Sequence, residues 1–112
     1  MVDDHAAFRA TARRLLELTG YDVVAEAGDG ASGLALVRDL EPELVLLDVA
    51  LPDMSGFDVA NALAGSQSQV VLVSSRDPSD LGRRAHASGA VGFIAKDQLS
   101  EDSLRRLVGD AE

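Results

Sequence analysis

The chain has 112 residues, no cysteine and a formal net charge of −9. That length suits a single domain over residues 1–112, the lack of cysteine excludes disulfides and thiolate metal sites, and the acidity argues against direct contact with nucleic-acid phosphate. No apolar run approaches the roughly 18 residues of a membrane span and no signal-peptide pattern is present, so a cytoplasmic protein with no membrane contact is expected.

Hydrophobic residues make up 46% of the chain, enough for a real core. Only Met1 and Val2 precede the acids Asp3 and Asp4 and then His5. Phe8, Ala12, Leu15 and Leu16 then recur at helical spacing, with Arg9, Arg13 and Arg14 mostly off that face. Gly20 stops the helix. Residues 22–27 predict a short strand. Asp29 is placed to N-cap a second helix, whose apolar face is Gly33, Leu36, Val37 and Leu40. Pro42 separates it from four unbroken aliphatic residues, 44–47, that end on Asp48.

Pro52 and Asp53 signal a turn. Ser55 is a plausible cap for a third helix carrying Val59, Ala60 and Leu63, and Gly65 ends it. A second aliphatic run, 70–73, leads into Ser74. Asp77 and Pro78 read as N-cap and first helical residue. The helix that follows, with Leu81 and Ala85 as its weak apolar face, closes at Gly89. Residues 91–95 predict another strand, ending at Lys96 and Asp97. Ser100 caps a last helix, with Leu99 and Leu104 placed as a hydrophobic staple.

Strands alternating with helices predict an α/β fold, a flavodoxin-like doubly wound parallel sheet with strand order 2-1-3-4-5. The first strand belongs inside that sheet, yet only Met1 and Val2 remain to form it. The sequence therefore predicts a first strand that is largely missing, with open edges on its two neighbours and a gap in the core. A start placed too late is the expected cause, and exchange of strands between two copies is a second way to fill the gap.

Polar residues gather where the strands end: Asp3 and Asp4, Asp48, Ser74 and Lys96. In a parallel sheet these ends share one edge. Three carboxylates at close quarters repel unless a cation or proton intervenes. All-oxygen ligands suit a hard, partly hydrated divalent ion such as Mg²⁺. A carboxylate also serves as a nucleophile toward phosphorus, with an ammonium and a hydroxyl holding the other phosphoryl oxygens. The set supports phosphoryl transfer onto Asp48.

Each residue also has a plain structural reading. Asp3 and Asp4 suit a helix start, Asp48 a turn, Ser74 a loop and Lys96 a solvated surface. Their joint arrival at four strand ends is what argues for chemistry. His5 and His86 read as rim residues without metal-site clustering, Asp53 as a turn residue, Asp58 as an exposed helix residue and Phe93 as core.

With these residues in place, the chain resembles the receiver domain of two-component response regulators. The resemblance rests on Asp3-Asp4-His5, on Leu47-Asp48 with Pro52 and Gly56 four and eight residues on, on Ser74, and on Gly92-Phe93-Ile94-Ala95-Lys96 at matching spacing. It spans nearly the whole chain. It implies Asp48 as phosphoacceptor, Asp3, Asp4, Asp48 and the Ala50 backbone carbonyl as Mg²⁺ ligands, Ser74 and Lys96 as phosphoryl-binding groups, and Ser74 and Phe93 as switch residues. It also implies a sensor histidine kinase as partner and a role in phosphorelay signalling. His5 after the acids and Asp97 after Lys96 look like receivers of the LuxR/NarL type, which precede a DNA-binding output domain and control transcription. Ala50 and Arg76 match positions expected to influence dephosphorylation, and Phe93 lacks a tyrosine's hydroxyl. The oligomeric state is left open, a homodimer included. Two other functions compete. A phosphatase of the haloacid-dehalogenase type needs an acid two residues after the nucleophile, where this chain has Ala50, so an enzyme is not expected. A receiver-shaped interaction module that is no longer phosphorylated remains the alternative.

Overall fold

The aliphatic runs do become strands. The computed structural model describes residues 1–75 and 81–109. Its regular strands are β1 (Leu44–Asp48), β2 (Gln69–Ser74) and β3 (Gly92–Ala95). They pair in parallel in the order β1-β2-β3. The register sets Asp48 opposite Val73, and Ser74 opposite Ala95. Five α-helices surround them: α1 (Ala6–Leu18), α2 (Gly30–Leu40), α3 (Gly56–Leu63), α4 (Leu81–Ala87) and α5 (Glu101–Val108). The expected cap at Asp77-Pro78, the side chain of Leu81 and the flanking Arg76 lie outside the described residues.

Alternation along the strands sorts side chains onto two faces. Val45, Leu47, Val70 and Leu72 pack with Val37, Phe57, Val59, Leu63 and Ala85, from α2, α3 and α4. Leu46, Val71, Val73 and Ile94 pack with Ala12 and Leu16 of α1 and Leu104 of α5. Both faces are thus covered, which is why the strands read as unbroken aliphatic runs. Leu47 and Leu72 are fully buried, each stabilising the fold by roughly 1.5–3 kcal/mol.

Local signals hold at the helix starts. The Asp29 carboxylate accepts from the Ser32 N–H, Ser55 Oγ from Phe57 N–H, and Ser100 Oγ from Ser103 N–H. Leu99 and Leu104 both join the α1/α5 side of the core.

The expected strand over residues 22–27 does not form as a regular strand. Only Ala27 bridges, and its partner is Val2. Val2 also bridges Leu47 in parallel, so residues 1–3 occupy the slot between 22–27 and β1. Val2 N–H donates to the Leu46 carbonyl and its own carbonyl accepts from Asp48 N–H, both at 2.8 Å. Asp3 N–H donates to the Ala27 carbonyl, and Ala27 N–H to that of Met1. The order is therefore 2-1-3-4-5, with the stub second from one edge. Residues 22–27 have partners only where the stub reaches them, so most of their backbone stays irregular. Val2 fills its place tightly: a Cβ on Gly33 would lie 2.7 Å from its methyl carbons.

Below the stub, where the rest of a central strand would run, is a cavity of about 340 Å³. It lies between residues 21–25 on one side and 43–46 on the other.

Candidate functional site: an acidic edge with one lysine

The C-terminal ends of the strands bring the predicted polar residues to one edge. Asp48 ends β1 and Asp3 ends the stub beside it; both side chains are nearly sealed from water. Lys96, at the end of β3, reaches back across β2. Its Nζ stands 2.8 Å from Asp3 Oδ2 and 3.4 Å from Asp48 Oδ2. The Phe8 ring of α1 lies under the same ammonium, 4.6 Å away, adding a cation–π contact. Ser74 is buried at the end of β2, one register step beyond Asp48. Phe93 is half-buried against the α2/α3/α4 side of the core, so its packing is of the core kind expected of it. Asp58 is exposed in the first turn of α3.

The loop after Asp48 is held closely. Ala50 N–H donates to Asp48 Oδ1 at 3.2 Å, and Gly56 N–H donates to the Val49 carbonyl at 2.7 Å. A Cβ on Gly56 would lie 2.1 Å from the Asp48 carbonyl oxygen, so the loop closes only over a glycine. Burial pushes the Asp48 carboxyl above the ordinary carboxylate range. The Ala50 N–H pulls it back down, the Asp3 charge raises it again, and Lys96 opposes both rises.

His5 is exposed at the rim, as its sequence suggests, but it does cluster with the acids. Its backbone N–H donates to Asp3 Oδ1 at 2.8 Å, which folds the chain back on itself. The imidazole Nδ1 is then 3.1 Å from Asp3 Oδ1, 3.2 Å from Asp4 Oδ1 and 3.8 Å from Asp48 Oδ2. It also stands 3.2 Å from Lys96 Nζ. An i, i+2 turn of this kind follows Asp often enough to have been foreseen. Its consequence, a ring over the acids, depended on where Asp48 and Lys96 came to lie.

Two further residues support the edge without a sequence signal. Arg9 donates from Nη1 to the Asp3 carbonyl and pairs through Nε with Glu26 at 3.1 Å, tying α1, the stub and residues 22–27 together. Asp53, expected only to make a turn, accepts from Gly30 N–H at 2.7 Å and Ala31 N–H at 2.9 Å. These two bonds hold its carboxyl below the ordinary range. It fastens the loop after β1 to the start of α2.

The edge suits a small hard cation. One donor atom from each of Asp3, Asp4, His5 and Asp48 lies within 4.8 Å of the others. Asp3 Oδ2 is buried and makes no hydrogen bond; the Lys96 ammonium is in ion-pair range but not in hydrogen-bond geometry. A buried carboxylate oxygen left this way is where a divalent ion would be bound.

The family model described as "Response regulator receiver domain" matches residues 1–108. The nitrate/nitrite response regulator NarP of Escherichia coli K12 is 39% identical over 115 residues, covering 100% of this chain and 54% of NarP. The signal receiver domain of NarL from Mycobacterium tuberculosis superimposes with a TM-score of 0.81 at 36% identity, covering 96% of this chain and 86% of that one. A Burkholderia pseudomallei response regulator, solved with a phosphorylated aspartic acid, a calcium ion and citrate, gives a TM-score of 0.83 at 25% identity, covering 95% of this chain and 63% of that one. The chain spans about half the length of the curated relatives it matches. With a family model covering nearly all of it and NarL/NarP-type relatives along its length, the chain belongs to the receiver domains of two-component response regulators, a signalling family and not one of classical enzymes.

Proposed function

We propose that the chain is a phosphoacceptor switch in which Asp48 takes a phosphoryl group from a phosphohistidine of a sensor kinase. The observation that carries this is the Asp48–Lys96–Asp3 cluster at the C-terminal edge, with an ammonium already within reach of the acceptor. An Asp48 carboxylate oxygen would attack phosphorus as the phosphorus–nitrogen bond of the donor breaks, and the leaving imidazole would take up a proton. Lys96, released from its ion pair with Asp48, would meet the new phosphoryl oxygens. The Ser74 hydroxyl, buried beside it, would donate to another. Asp3, Asp4, Asp48 and the Ala50 carbonyl would hold Mg²⁺, which supplies neutralising charge for the phosphoryl group. Ser74 and Phe93 would carry the change toward α4, β3 and α5 as a shift between two states.

NarP and NarL are named as regulatory proteins of longer chains, and this reading extends their role here: a single receiver domain over residues 1–112, located in the cytoplasm, coupled to transcription through a DNA-binding domain outside these residues. Among the described residues no helix is long and apolar enough to cross a membrane. A homodimer of the phosphorylated form fits the same scheme.

Incubation with a small phosphodonor and Mg²⁺ should add one phosphoryl group, seen as a mass gain. Asp48→Asn should abolish the gain, and omitting Mg²⁺ should slow it strongly. A folded wild-type chain that gains no mass with Mg²⁺ present would favour the interaction-module alternative instead.

A further inference from the structure

We infer that His5 makes the acidic edge selective for Zn²⁺ over Mg²⁺, its Nδ1 joining one oxygen each from Asp3, Asp4 and Asp48 as a fourth ligand. This rests on the proposed divalent-ion site of those acids and not on phosphorylation of Asp48.

The backbone places the ring. The His5 N–H bond to Asp3 Oδ1 closes a turn, so the imidazole returns over the acid two residues before it. Nδ1 then stands 3.1, 3.2 and 3.8 Å from oxygens of Asp3, Asp4 and Asp48. Ligands bound to Zn²⁺ at about 2.0–2.1 Å stand about 3.3–3.4 Å apart at the corners of a tetrahedron. The three spacings straddle that edge length. Asp3 and Asp48 are sealed and fixed, whereas the His5 and Asp4 side chains are 62% and 38% exposed and have room to close on an ion the other two hold.

Two observations besides the acids themselves point to a cation among these donors. Asp3 Oδ2 is buried and accepts no hydrogen bond. A monovalent cation already stands there: the Lys96 ammonium lies 2.8 Å from Asp3 Oδ2, 3.4 Å from Asp48 Oδ2 and 3.2 Å from His5 Nδ1. An ammonium can only donate, so in this contact the imidazole presents the Nδ1 lone pair, the pair a metal takes. Entry of a dication, with the lysine moving aside, puts two positive charges in place of one beside three carboxylates.

The nitrogen sets the preference. Mg²⁺ keeps oxygen ligands and its own waters. Imidazole suits Zn²⁺ and its neighbours late in the first transition row, and a mixed oxygen and nitrogen site binds those ions more tightly. Without His5 the edge offers oxygen alone. A histidine that served only as a cationic partner of the acids would behave in the opposite way: an incoming ion would displace it, and its loss would favour Zn²⁺ and Mg²⁺ alike. His86, exposed on α4, joins no such cluster among the described residues and is an internal control.

The test titrates Zn²⁺ and Mg²⁺ separately into the full chain, His5→Gln and His86→Gln by calorimetry, in a buffer that does not bind metal. Ring-proton spectra of the two histidines are followed during Zn²⁺ addition. The wild-type chain is expected to bind one Zn²⁺ at least about a hundredfold more tightly than Mg²⁺. His5→Gln keeps the backbone turn and should weaken Zn²⁺ binding at least about tenfold, with Mg²⁺ binding changed less than about twofold. His86→Gln should match wild type for both ions. The His5 ring signals should shift up to one equivalent of Zn²⁺ while those of His86 stay in place. Parallel changes for the two ions in His5→Gln, or a His5 ring unmoved at one equivalent, would overturn the inference and leave the acids as a plain oxygen site. Failure of the folded wild-type chain to bind either ion would overturn it together with the divalent-ion site on which it rests.

Discussion

Replacing Lys96 by methionine keeps most of the stem and removes the one lysine that faces two buried carboxylates. Its side chain is 12% exposed, and those of Asp3 and Asp48 are 3% and 4%. At an effective dielectric of about 20, the contacts at 2.8 and 3.4 Å correspond to gross attractions of about 6 and about 5 kcal/mol. Desolvation of all three groups cancels much of this. Removing one partner, however, leaves the others buried and uncompensated, which costs about 3–5 kcal/mol in buried pairs generally. Asp48, whose carboxyl is held above the ordinary range, relieves part of this by taking up a proton, so about 2–4 kcal/mol is expected at pH 7. Two conditions should shrink the loss. Millimolar Mg²⁺ supplies the missing positive charge if the acids hold it. Lower pH neutralises Asp48, whose carboxyl is already held above the ordinary range. The assay is urea denaturation of wild type and Lys96→Met at pH 7 and pH 4.5, with and without Mg²⁺. A loss under about 0.5 kcal/mol at pH 7 without Mg²⁺, or a loss of the same size in all four conditions, would refute the account of the edge as a charge cluster balanced by Lys96.

The remaining predictions follow from the same geometry. Asp48→Asn should stabilise the metal-free chain at pH 7. A folded-state pKa raised by burial means that the wild-type carboxylate loses stability as pH rises from its unfolded value through its folded value, and the asparagine does not. The two proteins should converge in acid, and a lower Tm for Asp48→Asn at pH 7 would contradict this. Asp53→Ala should act in the opposite sense with pH. The folded carboxyl is held low, so its contribution is present above the unfolded pKa and fades as pH falls through the folded one. Thermal melts between pH 3 and pH 7 should show the variant's deficit closing toward acid. Gly56→Ala should destabilise by at least about 2 kcal/mol and disturb phosphorylation, because the new Cβ meets backbone at Asp48 that cannot give way. Gly30→Ala, whose Cβ would meet mainly the flexible Met54 side chain, should cost clearly less in the same denaturation series.

Much of this architecture was legible because it depends on short-range rules. An aliphatic run ending on a carboxylate yields β1 and Asp48, and Asp29, Ser55 and Ser100 each cap the helix they precede. The parallel edge follows from alternation alone, and it brings Asp3, Asp48, Ser74 and Lys96 together. Residues 22–27 do not form a regular strand for a reason external to them: their pattern is sound, but a strand exists only with a partner, and they are bridged only at Ala27, by Val2. The long-range contacts of His5, Arg9 and Asp53 are absent from the sequence reading for a related reason. Each acts across the fold, on groups whose proximity emerges only after the sheet is assembled. A charged residue read from sequence shows its charge and its helix face, not the backbone carbonyl or distant helix start it will satisfy. Asp53 and Gly30 are 23 residues apart, and no local spacing couples them.

The two bridges made by Val2 carry an implication for how this molecule opens. Asp48 belongs to a strand paired along its whole length with β2, whereas Asp3 and residues 22–27 are joined to the sheet through a handful of main-chain bonds around a single valine. Cooperative opening units follow such differences in connectivity. The stub and the 22–27 edge should exchange their amides well before β1 and β2 do, as a sub-global unit that lifts away with the acidic pair attached. The two halves of the acidic edge then lie in different opening units. A cation shared between them would be a clasp, and its binding would be measured as slower opening of the edge as much as by occupancy of the site.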